Sequence, residues 1–352
     1  MIDLSSSLRF IYLTTEQIMT SFLKYFLIVL AFFSLSFSPH LELREFKIHG
    51  FAQGTTYSIS YFAKDSLVSK LEIDSVLSVI DSSMSLYKSY STINKFNQSD
   101  KGIILDEHFA KVVKRSFEIY NDSKGMFDIT VAPLVKYWGF GPKLAKQDTM
   151  TLEKILPCVG MDKIKLEGDF LKKSKECIQI DVNGIAQGYS VDVVADYFQS
   201  AGINIFLIEI GGELRISGPK PSGSLMKIGI EGPSENQFEE PIVQHIVSFK
   251  TGAITTSGNY RNYLLKDNKK ISHLINPKTG YPLANEMISV TVYAKDAITA
   301  DGYDNVLMAM NVNEALAFVA NRKALEAYII YRRADGKLAD TASVGFKKMM
   351  IE

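Results

Sequence analysis

Apolar residues recur at intervals of three and four in several stretches of the chain, and this spacing predicts helices. One stretch covers 71–84, and a second covers 109–120, where the helix should stop near Gly125. A third covers 191–198 and is followed by Gly202, a residue type that commonly ends a helix. The pattern therefore predicts at least three helices, each with one face against a core.

Alternating or β-branched apolar runs predict strands between and after these helices. The runs at 55–62, 204–210, 288–293 and 328–331 have this character, and helices are expected on either side of Val312. No linker clearly divides these elements. The chain is therefore expected to form a single α+β domain with mixed β-sheets and flanking helices.

The composition narrows the classes of partner. The chain has 352 residues, of which 46% are hydrophobic and 22% charged, so it can bury a full core. Its formal net charge is zero, and this argues against nucleic acid as a partner, because phosphate binding needs a basic surface. The 21 Phe and 17 Tyr are dispersed along the chain, which is more typical of core residues than of a base-stacking platform.

The beginning of the chain differs from the rest. A short basic segment at 19–24 precedes an apolar run at 25–33 and serine-rich residues at 34–38, and this order is typical of an export signal. The apolar run is short for a membrane span, although an uncleaved membrane anchor is the alternative. No Cys follows it directly, so lipid attachment at an N-terminal Cys is excluded.

Three parts of the chain follow from this interpretation. We expect translation to begin at Met19, with 1–18 a non-native or disordered extension. Residues 19–39 are expected to be a signal peptide or membrane anchor, and 40–352 to be the folded domain. The body of the protein is then exported, either periplasmic or anchored to the outer face of the cytoplasmic membrane.

Cys158 and Cys177 are the only cysteines of the chain. An exported protein can pair them in a disulfide, and their spacing matches no metal-binding motif. The sequence leaves a disulfide and two free thiols open as alternatives. We expect two buried free thiols.

Asp304 and Asn305 follow Asp301 by three and four residues, so a helix places the three side chains on one face. Two carboxylates and an amide on one turn repel one another unless a cation is present. They offer only hard oxygen atoms, which favours Mg²⁺ over zinc. The alternative is a solvated helix face. With Gly-rich turns elsewhere and no P-loop, the set suggests a magnesium enzyme that acts on a phosphoanhydride.

Three glycine-containing segments each have a structural and a functional interpretation. The segment 125–142 is either a loop whose Trp caps the core or a platform for a planar heterocycle. The segment 181–189 places an Asp and glycines before a helix, which is typical of an N-cap or of an anion site. The Gly-Gly of 209–213 is more often a simple turn.

Two later segments, 255–261 and 272–282, are dense in groups that suit a phosphate. Arg261 and Lys278 are candidates to neutralise phosphate charge. A lone His is usually structural, but His273 stands among polar residues close to Lys278 and is therefore a candidate site residue. No nucleophilic triad is recognisable.

The order of these motifs resembles that of the ApbE family, the FAD:protein FMN transferases. The resemblance covers 45–340. Eight motifs in the same order do not arise readily by coincidence. The motifs that carry it are 54–57, Tyr87 with Asn94 and Asn97, 127–141, 181–189, 210–213, 257–261, 273–282 and 300–301.

The resemblance implies an α+β flavin transferase with one catalytic domain. It implies transfer of FMN from FAD to a threonine hydroxyl of a partner protein, with release of AMP and a requirement for Mg²⁺. Members of the family act at the outer side of the cytoplasmic membrane on acceptors such as subunits of membrane electron-transfer complexes. The chain lacks an obvious acceptor segment of its own, so we expect it to modify another protein.

The resemblance also implies site residues. We expect Asp301 and His273 to be the candidate general bases. Metal ligands would be the Gly184 carbonyl, Asp301, Asp304 and Asn305. The implied contacts with FAD are Gln53, Tyr87, Met126, Phe127, Asp128, Asp181, Gln187 and Leu274.

Three positions depart from the family pattern. The family often has Met where Gln53 stands, Lys where Gln187 stands, and Thr where Asn305 stands. Asn305 still offers an oxygen, whereas Gln187 lacks the charge of a Lys. Two alternative functions stay open: a Mg²⁺-dependent FAD pyrophosphatase that yields FMN and AMP, and a non-catalytic FAD-binding protein.

Overall fold

The computed structural model describes residues 42–142, 151–233, 242–259, 263–266 and 269–351, and also Met19, Thr20, Phe22 and Lys24. The chain divides into two units, 1–43 and Arg44–Glu352. In the first unit, the four described residues near the N-terminus are helical and exposed. No helix within the described ranges is long and apolar enough to cross a membrane. Most of the predicted leader lies outside those ranges.

The second unit is built on an eight-stranded sheet in the order β1-β2-β6-β7-β10-β13-β14-β15, in which each pair of neighbours is antiparallel. Its strands are β1 Arg44–Ala52, β2 Thr55–Ala63, β6 Phe206–Ile210, β7 Glu213–Ser217, β10 Gly252–Gly258, β13 Met287–Ala294, β14 Glu326–Arg332 and β15 Leu338–Ala342.

Three smaller sheets surround this one, with the orders β16-β9-β8, β3-β5-β4 and β11-β12. Their strands are β3 Gly102–Ile104, β4 Ile164–Glu167, β5 Phe170–Lys173, β8 Met226–Glu231, β9 Val243–Phe249, β11 Tyr263–Lys266, β12 Lys269–Ser272 and β16 Met350–Ile351. The α-helices are α1 Lys70–Met84, α2 Thr92–Gln98, α3 Glu107–Asp122, α4 Ala132–Tyr137, α5 Leu152–Ile155, α6 Asn183–Ser200, α7 Ala297–Met308, α8 Val312–Ala320 and α9 Val344–Met349.

The eight-stranded sheet is buried on both faces. Along β14, Ile329 belongs to a core that the sheet shares with helices α1, α3, α6 and α7, whereas Tyr328 and Ile330 belong to a core shared with β8, β9 and α9. Successive side chains of a strand point to opposite faces, so one strand serves both cores. The expected α+β fold with flanking helices is confirmed.

The predicted helices and strands are present, but α6 begins earlier than its apolar spacing indicates. The periodic pattern starts at Val191, whereas the helix starts at Asn183. In its first turns Ile185, Gly188 and Tyr189 are all buried, as is Asp192 one turn later. A helix that is enclosed on several sides shows no single apolar face, so the spacing is lost. Most of the segment 181–189 is thus helix.

The expectation of two free thiols is wrong, because Cys158 and Cys177 form a disulfide. Their Cα atoms are 5.5 Å apart, a separation that suits such a bond. Cys158 ends a short 3₁₀ helix at Leu156–Cys158, and Cys177 precedes the segment that leads into α6. Separation along the chain does not reveal this proximity, since tertiary folding creates it.

Candidate active site

A cavity of about 1290 Å³ opens where β2, the β6–β7 turn and β10 meet the first residues of α6 and one face of α7. Cavities for drug-sized ligands are typically about 300–1,000 Å³, so this one has room for a dinucleotide. Of the site residues that the family resemblance implies, all but one line it. They are Tyr87, Met126, Phe127, Asp128, Asp181, Gly184, Gln187, His273, Leu274, Asp301, Asp304 and Asn305.

Gln53 is the exception. It is at the tip of the β1–β2 hairpin, where its positive φ of 55° is followed by that of Gly54, 78°. Its amide donates to the Ser190 hydroxyl at 2.9 Å, and it is not among the described residues that line the cavity. Lys278 is exposed and also outside the lining, and Arg261 lies outside the described residues.

Helix α7 carries the two predicted acidic ligands into the protein interior. Asp301 is 4% exposed and Asp304 is 1% exposed, so the alternative of a solvated face is wrong. Asp301 Oδ2 accepts the Gly188 N–H at 2.8 Å, and Asp304 Oδ2 accepts the Thr255 hydroxyl at 2.7 Å. Asp301 is therefore held by α6, and Asp304 is held by β10.

Gly184 and Asn305 complete this cluster. Gly184 has non-helical dihedral angles inside α6. In a regular helix its carbonyl would accept the Gly188 N–H, which here donates to Asp301. The Asn305 amide nitrogen lies 3.3 Å from the Gly184 oxygen and 2.9 Å from Asp304 Oδ1. The four predicted ligand residues thus meet at one point of the cavity wall. The Asn305 side chain turns its amide nitrogen towards this point, while its oxygen accepts the Ser257 hydroxyl at 3.3 Å.

The charges at this point are unbalanced. Burial raises the pKa of Asp301 to about 7, and burial together with repulsion from Asp301 raises the pKa of Asp304 well above its ordinary value. The pKa of Glu213 is raised for the same two reasons, burial first and Asp301 second. Among the described residues that line the cavity there is no Lys or Arg. Such a site gains free energy by taking up a cation.

The donor set fits a hard cation. Within the described parts of the chain, no three His, Cys, Asp or Glu side chains group closely enough to hold a metal by themselves. The predicted set contains only two such side chains, and its other donors are a backbone carbonyl and an amide. Carboxylate, carbonyl and amide oxygens are ligands that Mg²⁺ accepts, usually together with water and substrate phosphates.

Gln187 contacts the acidic cluster from α6. Its amide nitrogen donates to the Ile210 carbonyl at 2.8 Å and to Glu213 Oε2 at 2.5 Å. The residue therefore orients Glu213 without bringing a positive charge, which a Lys in this place would do. Without that charge, the excess of carboxylates remains uncompensated by the protein side chains described here.

Two further predicted residues are held mainly by the protein itself. Both oxygens of Asp128 are occupied, by the Thr130 N–H and hydroxyl and by the Met161 N–H at 3.0 Å. Asp181 Oδ1 accepts the Asn183 N–H at 2.8 Å at the start of α6, and burial raises the pKa of this carboxyl. Asp128 is therefore mainly an N-cap that borders the cavity.

The irregular segment before α6 is fastened at three points. Asn97 forms a pair of hydrogen bonds with the backbone of Ile180, of 2.7 and 3.0 Å. The buried ammonium of Lys173 donates to the carbonyls of Phe96, Glu176 and Ile178. The third point is the Cys158–Cys177 disulfide. These contacts fix the approach to Asp181 although no strand holds it.

Aromatic residues occupy different depths of the cavity. Tyr87 is 70% exposed at the rim, whereas Phe127 is buried. The ring of His273 lies 6.3 Å from that of Phe140, edge to face. The indole nitrogen of Trp138 donates to the Gly280 carbonyl, and this residue does not line the cavity. Both observations agree with its interpretation as a cap on the core.

Some residues of the site have no clear sequence signal. Glu213 lies in a motif that the sequence presents as a turn, and only the fold brings it against Asp301. Thr255 is in a segment that the sequence marks as polar, but its bond to Asp304 depends on the register of β10. The residues Ile228–Glu231 of β8 form part of the wall and are not distinguished in the sequence from other buried strands.

Comparison with known proteins places this geometry in context. Residues 53–329 match the model of the ApbE family. A FAD:protein FMN transferase of Vibrio cholerae is 37% identical over 313 residues, which cover 86% of this chain and 92% of that protein. Another of Escherichia coli K12 is 33% identical over 282 residues, which cover 78% and 79%.

Solved structures are similar as well. The flavin transferase ApbE from Vibrio cholerae superposes with a TM-score of 0.77 and 34% identity, over 87% of this chain and 99% of that one. The flavinyl transferase ApbE of Pseudomonas stutzeri has a TM-score of 0.76 and 30% identity, over 88% of this chain and 97% of that one.

Proposed function

The chain belongs to the ApbE family and is a flavin transferase, and we propose that it transfers FMN from FAD to a threonine hydroxyl of an acceptor protein. A bond forms between the threonine oxygen and the FMN phosphorus, and the anhydride bond of FAD breaks. AMP leaves, and the hydroxyl proton passes to a base. The observation that carries the proposal is a dinucleotide-sized cavity whose described wall has buried carboxylates and no Lys or Arg.

A dianionic pyrophosphate does not enter such a wall by itself, because like charges at short range repel strongly in a buried site. We propose that Mg²⁺ is required and that Asp301, Asp304, Asn305 and the Gly184 carbonyl hold it. When bound, it would neutralise charge on the phosphate oxygens as the anhydride bond breaks. The raised pKa values of Asp301 and Asp304 support this assignment, since a cation would allow both to ionise.

The residues around the cluster bind and orient the substrate. Phe127 offers a buried apolar surface for the flavin ring, and Tyr87 is placed to shield it at the rim. Asp181 would orient a nucleotide group. Of the two candidate bases His273 fits better, since Asp301 is engaged by Gly188 on one side and by the proposed cation on the other. Positioning and electrostatics carry most of the catalysis.

We also propose that the protein works outside the cytoplasm on a subunit of a membrane electron-transfer complex. The composition of 19–39 supports export, and the Cys158–Cys177 disulfide supports an oxidising compartment.

The test uses the purified chain, FAD, Mg²⁺ and candidate acceptor proteins from the same cell. Flavin fluorescence of the acceptor after denaturing electrophoresis should appear with Mg²⁺ and be absent with EDTA. Replacement of the base in His273→Ala should lower the transfer rate about 10²–10⁴-fold. Rapid release of AMP without labelled acceptor would instead identify a pyrophosphatase, and tight FAD binding without any turnover would identify a binding protein.

A further inference from the structure

The start of α7 is capped from another helix. The first N–H groups of a helix have no partner within it. Here Asp192 of α6 accepts two of them, the Ala297 N–H on Oδ1 at 2.9 Å and the Ile298 N–H on Oδ2 at 2.8 Å. The helix's own N-cap residue, Asp296, accepts only the next one, from Thr299, through its side chain. Two helices are thereby joined by one carboxylate.

A strand of the large sheet fixes that carboxylate in turn. Arg215 of β7 donates to Asp192 Oδ1 at 2.7 Å, and the side chains are only 19% and 9% exposed. Asp196, one turn further along α6, lies 3.7 Å from the same guanidinium but is 70% exposed. The Asp192–Arg215 pair is thus enclosed, and removing Arg215 would leave the Asp192 carboxylate without an opposite charge.

This contact lies one helical turn from the acidic cluster. Gly188 and Asp192 are four residues apart and so face the same side of α6. The first gives its N–H to Asp301, and the second receives those of Ala297 and Ile298. A Cβ atom on Gly188 would lie 2.3 Å from the Ala297 carbonyl oxygen, so the two helices touch at this point.

The pair itself is separate from the cavity that holds the predicted FAD contacts. Asp192 and Arg215 border a smaller polar cavity of about 540 Å³, and neither is among the described residues that line the larger one. Any effect of Asp192 on flavin transfer is therefore indirect, and its bonds to Ala297 and Ile298 give α7 as the route.

We propose that Asp192 is a positioning residue for flavin transfer. Its bonds to the first turn of α7, fixed by Arg215, set the direction in which the next turn presents Asp301 and Asp304 to the cation. The inference rests on the proposed function, because it assigns to those two carboxylates the role of ligands. It predicts that loss of the Asp192 carboxylate weakens cation binding before it unfolds the protein.

The test compares Asp192→Asn with Asp196→Asn in the full chain. The first keeps the size of the side chain but loses the ion pair and one acceptor. The second removes an equal charge near the same Arg215 without touching α7. Electron paramagnetic resonance in the absence of FAD gives the affinity of the cation site for Mn²⁺ independently of turnover. The rate of flavin transfer is measured separately as a function of Mg²⁺ concentration.

Residues that orient metal ligands typically change metal affinity or activity about 10–100-fold, and we expect this range for Asp192→Asn in the Mn²⁺ dissociation constant and in kcat. The KM for FAD should stay within about threefold at saturating Mg²⁺. Asp196→Asn should match the parent protein. Hydrogen exchange at Ala297 and Ile298 should become faster only in Asp192→Asn.

A folded Asp192→Asn protein with parental Mn²⁺ affinity and kcat would overturn the inference, since the carboxylate would then be a cap and nothing more. If that variant does not fold, Arg215→Gln decides, because it removes the group that fixes the Asp192 carboxylate against α7. Parental Mn²⁺ affinity in that variant would likewise contradict the inference. Failure of the parent protein to label any acceptor would contradict the proposed function, while the Mn²⁺ comparison would still test Asp192.

Discussion

The substitution Gly188→Ala tests how closely α6 and α7 must approach. The added Cβ would lie 2.3 Å from the Ala297 carbonyl oxygen and 2.7 Å from Asp301 Cβ. An ordinary van der Waals contact needs about 3.4 Å or more, so α7 must retreat by about 1 Å. The atoms in the way belong to a backbone and to a Cβ, neither of which a side-chain rotation can move.

Two effects on stability oppose each other. Alanine is favoured over glycine within a helix by about 1 kcal/mol. Overpacking a filled site costs about 1–3 kcal/mol. The net loss of unfolding free energy is then about 0–2 kcal/mol, and the protein should stay folded at 25 °C. The rate of flavin transfer should change more than the stability does, because a displacement of about 1 Å can lower a rate about 10²-fold.

Urea unfolding and steady-state flavin transfer measure the two quantities on the same preparation. Gly302→Ala is the matched control, since it adds the same atom to α7, where the Cβ would meet the far end of the Ile119 side chain. We expect it to retain activity within about threefold, because that methyl group can turn away. Parental activity in a Gly188→Ala protein that has lost stability would refute the reasoning, as the helix spacing would then have no bearing on the reaction.

Three further outcomes are expected. Asp301→Asn should abolish acceptor labelling, with a far-ultraviolet circular dichroism spectrum like that of the parent; labelling at the parental rate would contradict its role. Asn97→Ala should lower the unfolding free energy by about 1–3 kcal/mol, since it leaves the buried Ile180 backbone groups unpaired; an unchanged urea midpoint would count against this. The pKa of Asp301 is raised to about 7, so the folded state holds the proton of this carboxyl more tightly than the unfolded chain does. The melting temperature in EDTA should therefore fall as pH rises from 4 to 8, and Mg²⁺ should restore part of the lost melting temperature at pH 8. In Asp301→Asn the melting temperature should depend less on pH.

Much of the site follows from local sequence. Asp301, Asp304 and Asn305 are recognisable because the helical period alone brings them to one face, and nothing distant is needed. The burial of that face is another matter. It depends on Gly188, which lets α6 approach, and the sequence gives no indication that this glycine and Ala297 are in contact.

Other parts of the site depend on tertiary structure. In the sequence, Glu213 is only a residue that follows a turn. The pairing of β6 with β7 places it near Asp301 in the structure. Asp192 is an acidic residue in an apolar helix. Nothing in the sequence predicts its contact with the start of α7, about one hundred residues later. The disulfide between Cys158 and Cys177 is likewise a product of tertiary folding, and such a contact leaves no periodic signal in the sequence.

The three positions that are expected to depart from the family pattern differ in their contacts. Gln187 donates a hydrogen bond to Glu213, but it brings no charge. Asn305 binds the cluster together through its amide nitrogen, to Gly184 and Asp304. Gln53 serves the hairpin tip and Ser190. Of the three, Gln187 alters the electrostatics of the acidic cluster most.

The most direct test of the central claim is the intact mass of an acceptor protein after incubation with FAD and the purified chain. With Mg²⁺ the account predicts a gain of one FMN phosphodiester per acceptor, located on a threonine by fragmentation, and AMP in equal amount. With Asp304→Asn, or in EDTA, it predicts no gain. Full labelling in EDTA, or equal labelling by the Asp304→Asn protein, would contradict the claim that buried carboxylates hold a cation for this transfer.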